Sequence, residues 1–297
     1  MPTDRLTKSI QPDVFSQAHN RIKPTDNSKV KELIYEITPE RRLESLVLSQ
    51  SITTQLEEVI EEQHRSELLK AHNISPRNKI MLAGAPGNGK TTLAEALASE
   101  LMYPLLIVRY ETLVGSYLGE TSNRLKTILD YARTQRCVLF FDEFETLGKE
   151  RGDTHETGEI KRVVSSLLLQ LDNLPDYVVV VAASNHPELL DRAVWRRFQV
   201  RIDIPMPTRE QLKIFISDIS IKSGINFGYA PESLAKFLLG SNFSDTQEFC
   251  LSIMRRAILD RSTKNAKSIT KTKMEQWKNR LAPLVEKTNF NKDEING

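Results

Sequence analysis

Between residues 79 and 204 short, nearly continuous apolar runs alternate with longer stretches of helical periodicity. The runs are KIMLAG (79–84), PLLIVR (104–109), CVLFFD (137–142), YVVVVAAS (177–184) and QVRIDI (199–204). Runs without a polar face fit strands buried on both sides of a parallel sheet. Between them the spacing predicts helices near 89–102, 121–134, 157–172 and 189–197. Such strand-helix alternation predicts a doubly wound α/β domain.

The flanks read differently. Residues 52–71 carry Ile52, Leu56, Val59, Ile60 and Leu68 at helical spacing, which predicts an amphipathic helix. Residues 1–45 form an extension interrupted by Pro2, Pro12, Pro24 and Pro39, in which only Val30 to Ile37 has a weak helical pattern. After Pro207 the strand signal stops, and helical patterns near 208–222, 230–239, 244–262 and 270–282 predict a small all-α domain. The expected organisation is therefore an extension (1–45), an α/β domain (46–207) and a helical domain with a basic tail (208–297). There is no internal repeat.

Composition narrows the function classes. With 39% hydrophobic and 27% charged residues the 297-residue chain is of ordinary globular type. A net charge of +2 supplies no global attraction to nucleic acid or to a membrane surface. The cations after residue 255 (Arg255, Arg256, Arg261, Lys264, Lys267, Lys271, Lys273) read as a solvated helix face. Two cysteines, Cys137 and Cys250, exclude a disulfide framework and a cysteine zinc site, as fits a reducing compartment. No signal-peptide pattern opens Met1 to Asn20, and no apolar stretch approaches the roughly 18 residues of a membrane span. The expected location is cytoplasmic, with no membrane.

The chemistry starts where the first strand runs out. Gly84-Ala85-Pro86-Gly87-Asn88-Gly89-Lys90-Thr91 matches G-x-x-x-x-G-K-[ST] in a strand-to-helix context, and Thr92 follows. Backbone N–H groups in such a loop curl round phosphate oxygens, the helix points its positive end at them, Lys90 reaches the β/γ-phosphates and Thr91 offers a hydroxyl to Mg²⁺. The third strand ends in Asp142-Glu143. In a phosphate-loop protein the first acid holds the metal; the second takes a proton from the attacking water. The fourth strand ends at Asn185, an amide suited to orienting that water. Arg196 and Arg197 close a short helix. They are either solvated helix-terminal cations or fingers reaching a neighbouring subunit's nucleotide.

With these elements in order, residues 46–262 resemble the classical AAA ATPases. The resemblance rests on GAPGNGKT, VLFFDE and ASNHPELLDRAVWRRF. It implies a five-stranded parallel α/β domain with a helical lid, assembled as a ring, usually a hexamer, with ATP at each subunit interface. Two positions depart from the family: Arg196 and Arg197 are adjacent where a Pro-Gly commonly separates them, and Phe243-Ser-Asp-Thr-Gln247 replaces a Gly-Ala-Asp turn near the base.

Gly115-Ser-Tyr-Leu-Gly-Glu120 has two readings. By itself it is a buried turn plugged by its aromatic. The resemblance instead implies a loop facing a central channel, in which Tyr117, Leu118 and Gly119 grip an extended polypeptide. The helix after it is expected to be capped by Thr121 or Ser122, and residues 149–158 to supply a second loop. The reading that follows is an ATP-driven motor acting on protein. A nucleotide-controlled assembly switch and a DNA-directed machine are the competing classes. The chain carries no protease motif, so degradation would fall to a partner; it also resembles stand-alone bacterial AAA ATPases that occur beside a subtilisin-like protease.

Overall fold

A computed structural model describes residues 28–113, 118–147 and 166–279. The chain divides into two compact units at Pro205/Met206.

In the first unit six strands form one sheet in the order β1-β3-β4-β5-β2-β6. They are β1 (Ile34–Ile37), β2 (Lys79–Ala83), β3 (Leu105–Val108), β4 (Cys137–Phe141), β5 (Val178–Ser184) and β6 (Val200–Asp203). Each apolar run becomes one strand, and these five are parallel. All five residues of β4 are at most 1% exposed, because helices cover both faces of the sheet. Val138 and Phe140 pack with the helices Gln50–His64 and Lys90–Leu101; Cys137, Leu139 and Phe141 pack with Leu118–Ala132 on the opposite face.

Strand β1 is the addition. The weak helical pattern of residues 30–37 resolves into a helix, Ser28–Leu33, and then a strand antiparallel to β3 with Ile34 opposite Val108 and Ile37 opposite Leu105. Its partners are distant in sequence: the Arg109 guanidinium lies 4.5 Å from the Tyr35 ring centroid, and Tyr131 Oη donates to Glu36 Oε2 at 2.9 Å. A four-residue strand specified by such contacts leaves no periodicity to read.

Two helix boundaries also move. The helix expected over 52–71 breaks at Arg65 into Gln50–His64 and Ser66–Ala71. There the Gln63 side chain turns inward to donate to Arg77 O (2.9 Å) and Asp176 O (3.2 Å). The helix expected from Thr121 starts at Leu118. Thr121 is no cap: it is 8% exposed and falls on the buried face with Leu125, Ile128, Leu129 and Ala132. Glu120 stands in the first turn, where the helix dipole favours an acid.

The second unit is helical: Arg209–Ser223, Pro231–Phe237, Phe243–Leu259 and 267–279. Thr208 and Gln211 form a reciprocal capping box at its start. Leu212, Ile216, Phe249, Ile253 and Trp277 share its core. Among the described residues no helix is long and apolar enough to cross a membrane.

Candidate nucleotide site

The site lies beyond the carboxyl ends of β2, β4 and β5, the edge where open α/β sheets bind ligands. At the end of β2 the Gly84 N–H donates to Ser184 O (3.2 Å), and Ile204 N donates to Ala83 O (2.7 Å). The chain leaves between two backbones. A Cβ on Gly84 would stand 2.3 Å from Ile204 O, and its φ is +151°. Gly89, with φ +87°, turns the chain into the helix Lys90–Leu101, whose start has no side-chain cap. The first N–H groups of that helix are thus left for an anion. The helix itself is tied down by Arg41–Glu95 (3.6 Å), Arg42–Glu100 (3.4 Å) and a Leu43 N–H donated to Glu100 Oε1 (3.0 Å).

Asn88 and Lys90 are buried, Ala85 and Pro86 are exposed, and Gly84, Gly87, Gly89, Thr91 and Thr92 are half-buried. Lys90 Nζ donates to Gly84 O (2.7 Å) and Ala85 O (3.0 Å), so its ammonium already lies inside the loop. Burial pulls its pKa below the usual lysine value, against the opposing charges of Asp142 and Glu145. Phosphate oxygens would replace two neutral carbonyls with charged acceptors, a stronger pairing for a desolvated ammonium.

Thr91 Oγ1 donates to Asp142 Oδ2 (3.1 Å), and the Glu143 N–H donates to Asp142 Oδ1 (2.9 Å). Burial pushes the Asp142 pKa up; these two hydrogen bonds and Lys90 pull it down, while Glu145 adds to the rise. A hydroxyl and a carboxylate brought together in this way are hard oxygen donors, and they fit a Mg²⁺ whose other ligands are phosphate and water. No group of three or more His, Cys, Asp and Glu residues exists among the described residues to hold a metal by protein alone. Glu143 is exposed with φ +47°, a left-handed backbone that a non-glycine residue adopts at some cost.

The chain then enters a 3-10 turn, Phe144–Leu147, pinned by edge-to-face contacts of Phe144 with Phe141 (5.9 Å) and Phe198 (5.8 Å). Within it Glu145 is 3% exposed and accepts the Asn185 N–H through Oε1 at 3.1 Å. Asn185 itself is half-buried at the end of β5. No sequence motif singles out Glu145, although it is the third acid in Asp-Glu-Phe-Glu.

Arg196 and Arg197 are exposed at the end of the helix Arg192–Arg197, which Asp191 caps by accepting the Ala193 N–H (3.1 Å). Arg197 is ion-paired to Asp172, whose other oxygen is 3.9 Å from Lys79 Nζ. Arg196 has no such partner among the described residues. Lys79 opens β2, whereas the phosphate loop follows its other end. From Lys79 to Ala83 the strand rises about 13 Å. The arginine pair therefore stands at the edge of the sheet opposite to this chain's own phosphate loop.

Tyr117 and residues 149–158 lie outside the described residues. Leu118 and Gly119 belong to the first turn of the helix Leu118–Ala132, not to a free loop, because hydrogen bonding along that helix begins there. Phe243 to Gln247 open the helix Phe243–Leu259, where Asn242 Oδ1 accepts the Asp245 N–H at 2.6 Å.

The profile of the ATPase family associated with various cellular activities (AAA) matches residues 80–206. An uncharacterized AAA family ATPase of Sinorhizobium fredii is 34% identical over 77% of this chain and 69% of its own length. A putative 26S proteasome regulatory subunit homolog of Methanothermobacter marburgensis is 30% identical over 63% of this chain and 51% of its own. A cell division cycle protein 48 homolog of Archaeoglobus fulgidus is 32% identical over 80% of this chain. The chain spans only 32% of that relative. In fold it is similar to the FIGL-1 AAA domain, with a TM-score of 0.64 over 80% of this chain and 81% of that one at 22% identity.

Proposed function

Since this chain belongs to the AAA family of ATPases and hydrolyses ATP, we propose that it works as a ring, a hexamer in the simplest case, that uses the hydrolysis to pull protein substrates through a central channel. The observation that carries the ring is the position of the arginines. Arg197 is tied to Asp172 and through it lies beside Lys79, at the wrong end of β2 to reach the phosphates bound by the same chain. If Arg196 and Arg197 neutralise charge on a transferred phosphoryl group, it is that of another copy's nucleotide.

Within one subunit Lys90 and the uncapped start of its helix bind the phosphates. Thr91 and Asp142 would hold Mg²⁺, which supplies charge neutralisation between the phosphates when bound. Glu143, exposed and next to Asp142, receives the proton of the attacking water. Asn185 orients that water from the neighbouring strand. Arg196 and Arg197 of one copy complete the site of the next. A protein substrate is supported by relatives named as a proteasome regulatory subunit homolog and a cell division cycle protein 48 homolog. Tyr117, together with Leu118 and Gly119 at the start of the helix that follows it in sequence, is assigned to grip it; any proteolysis would fall to a separate protease.

Mixing tests the reading. An Arg196→Ala/Arg197→Ala variant and a Lys90→Ala variant should each be inactive, and together they should recover ATPase activity at the interfaces that pair an intact loop with intact arginines. Arginine fingers are worth about 10³ to 10⁵ in rate in other phosphate-loop enzymes, so even partial recovery is measurable. Mixed rings that form and show no recovery at any ratio would refute it.

A further inference from the structure

Glu145 is a buried carboxylate for which the acid pair and the phosphate loop have no obvious need. It is 3% exposed. Its Oε1 accepts the Asn185 N–H at 3.1 Å, while its Oε2 is buried without a hydrogen-bond partner among the described residues. Burying a charge in this way is costly unless something compensates it. Its charge reaches the phosphate loop, where, after that of Asp142, it favours the ammonium form of Lys90.

The turn that carries Glu145 is held on three sides. Thr146 N and Oγ1 both donate to Glu143 O, at 2.8 and 2.5 Å, which locks the left-handed Glu143 to the turn. Phe144 is wedged between Phe141 and Phe198. The Ser184 hydroxyl on the strand opposite accepts the His186 N–H (3.1 Å), so the backbone is gripped on both sides of Asn185 by side-chain oxygens. β4 and β5 are parallel and pair only as far as Phe141 with Ala182. Beyond that register the ladder no longer spaces the two strand ends. The Glu145–Asn185 bond crosses the gap and ties the turn that follows Asp142 and Glu143 to the residue that bears the amide.

We propose that Glu145 is a positioning residue for ATP hydrolysis, which sets Asn185 relative to Asp142 and Glu143 by holding its backbone N–H. This rests on the assignment of Asn185 to the attacking water. A carboxylate oxygen is a stronger acceptor than a neutral one, and its reach from the turn defines where β5 must end. Removing it frees Asn185 to drift, while Lys90 keeps its own hydrogen bonds to Gly84 O and Ala85 O. The expected loss is therefore in kcat and not in nucleotide affinity.

The test is steady-state ATPase kinetics and thermal melting of the full chain with Glu145→Gln, Glu145→Ala, Asn185→Ala and the Glu145→Ala/Asn185→Ala double variant. Glu145→Ala should lower kcat about ten- to a hundredfold, as expected for losing a hydrogen bond to a charged group, with KM for ATP little changed. Glu145→Gln, whose amide oxygen still accepts the N–H, should recover most of the loss. The double variant should be no slower than the slower single variant, since both act through one group. If Glu145→Ala fails to fold, Glu145→Asp keeps the charge and shortens the reach, and it should be slow with an unchanged melting temperature. Wild-type kcat in that variant or in Glu145→Ala, equal losses in the Gln and Ala variants, or losses that multiply in the double variant overturn the proposal. Asn185→Ala distinguishes the two levels: if it is as fast as wild type, the role of Asn185 falls; if it is slow and Glu145→Ala is not, only Glu145 falls.

Discussion

Replacing Gly84 with alanine sets one methyl group against a backbone that cannot retreat. The added Cβ would meet Ile204 O at 2.3 Å and Ile204 C at 3.1 Å, well inside contact distance. Ile204 is not free to yield, because its N–H is already donated to Ala83 O at 2.7 Å where β6 leaves β2. The φ of +151° adds backbone strain for any residue with a Cβ. Strain of about 1–3 kcal/mol and overpacking of about 1–3 kcal/mol together predict a loss of about 2–6 kcal/mol. Gly240→Ala is the matched control: φ there is +92°, but nothing lies within 4 Å of the added Cβ, so strain alone of about 1–3 kcal/mol is expected. Urea unfolding followed by tryptophan fluorescence reads both, since Trp195 lies in the first unit and Trp277 in the second. ATP affinity should fall in Gly84→Ala alone, because the same displacement moves the start of the phosphate loop. A Gly84→Ala midpoint shifted no further than that of Gly240→Ala would refute the close approach as the reason for the glycine.

Two other outcomes are expected. Asp142 is pushed above the usual carboxylate pKa chiefly by burial. Its raised folded pKa means that its contribution to stability is complete below the unfolded value, about pH 4, and is lost as pH rises through the folded pKa. Nucleotide-free Asp142→Asn should therefore melt no lower than wild type at pH 7, gain nothing near pH 4, and lose ATPase activity; a melting deficit that appears only at neutral pH would contradict this. Tyr117→Ala should keep basal ATP hydrolysis and melting temperature while losing ATP-driven unfolding of a protein substrate. A drop of the size that a truncated core aromatic causes, about 3–5 kcal/mol, together with lost hydrolysis would place Tyr117 in the core instead.

Sequence alone determined what depends on local order. Each parallel strand is a buried apolar run, and burial on both faces leaves an unbroken signature in five or so residues, as in Cys137–Phe141. The phosphate loop is equally legible, since its glycines, Lys90 and Thr91 are contiguous between one strand and one helix. Asp142 and Glu143 were legible because a strand end delivers them. Tertiary structure decided whatever is specified by residues far apart. β1 exists because β3 has an open edge and because Arg109 and Tyr131 meet Tyr35 and Glu36 there. Thr121, a plausible cap in sequence, is claimed by the core once the helix begins at Leu118. Arg196 and Arg197 are identical as letters, and only a contact with Asp172, 25 residues away, ties one of them to the far end of β2. Glu145 looks like any acid in a turn; that its oxygen faces the N–H of Asn185 follows from packing two strand ends side by side, a distance that no local pattern encodes.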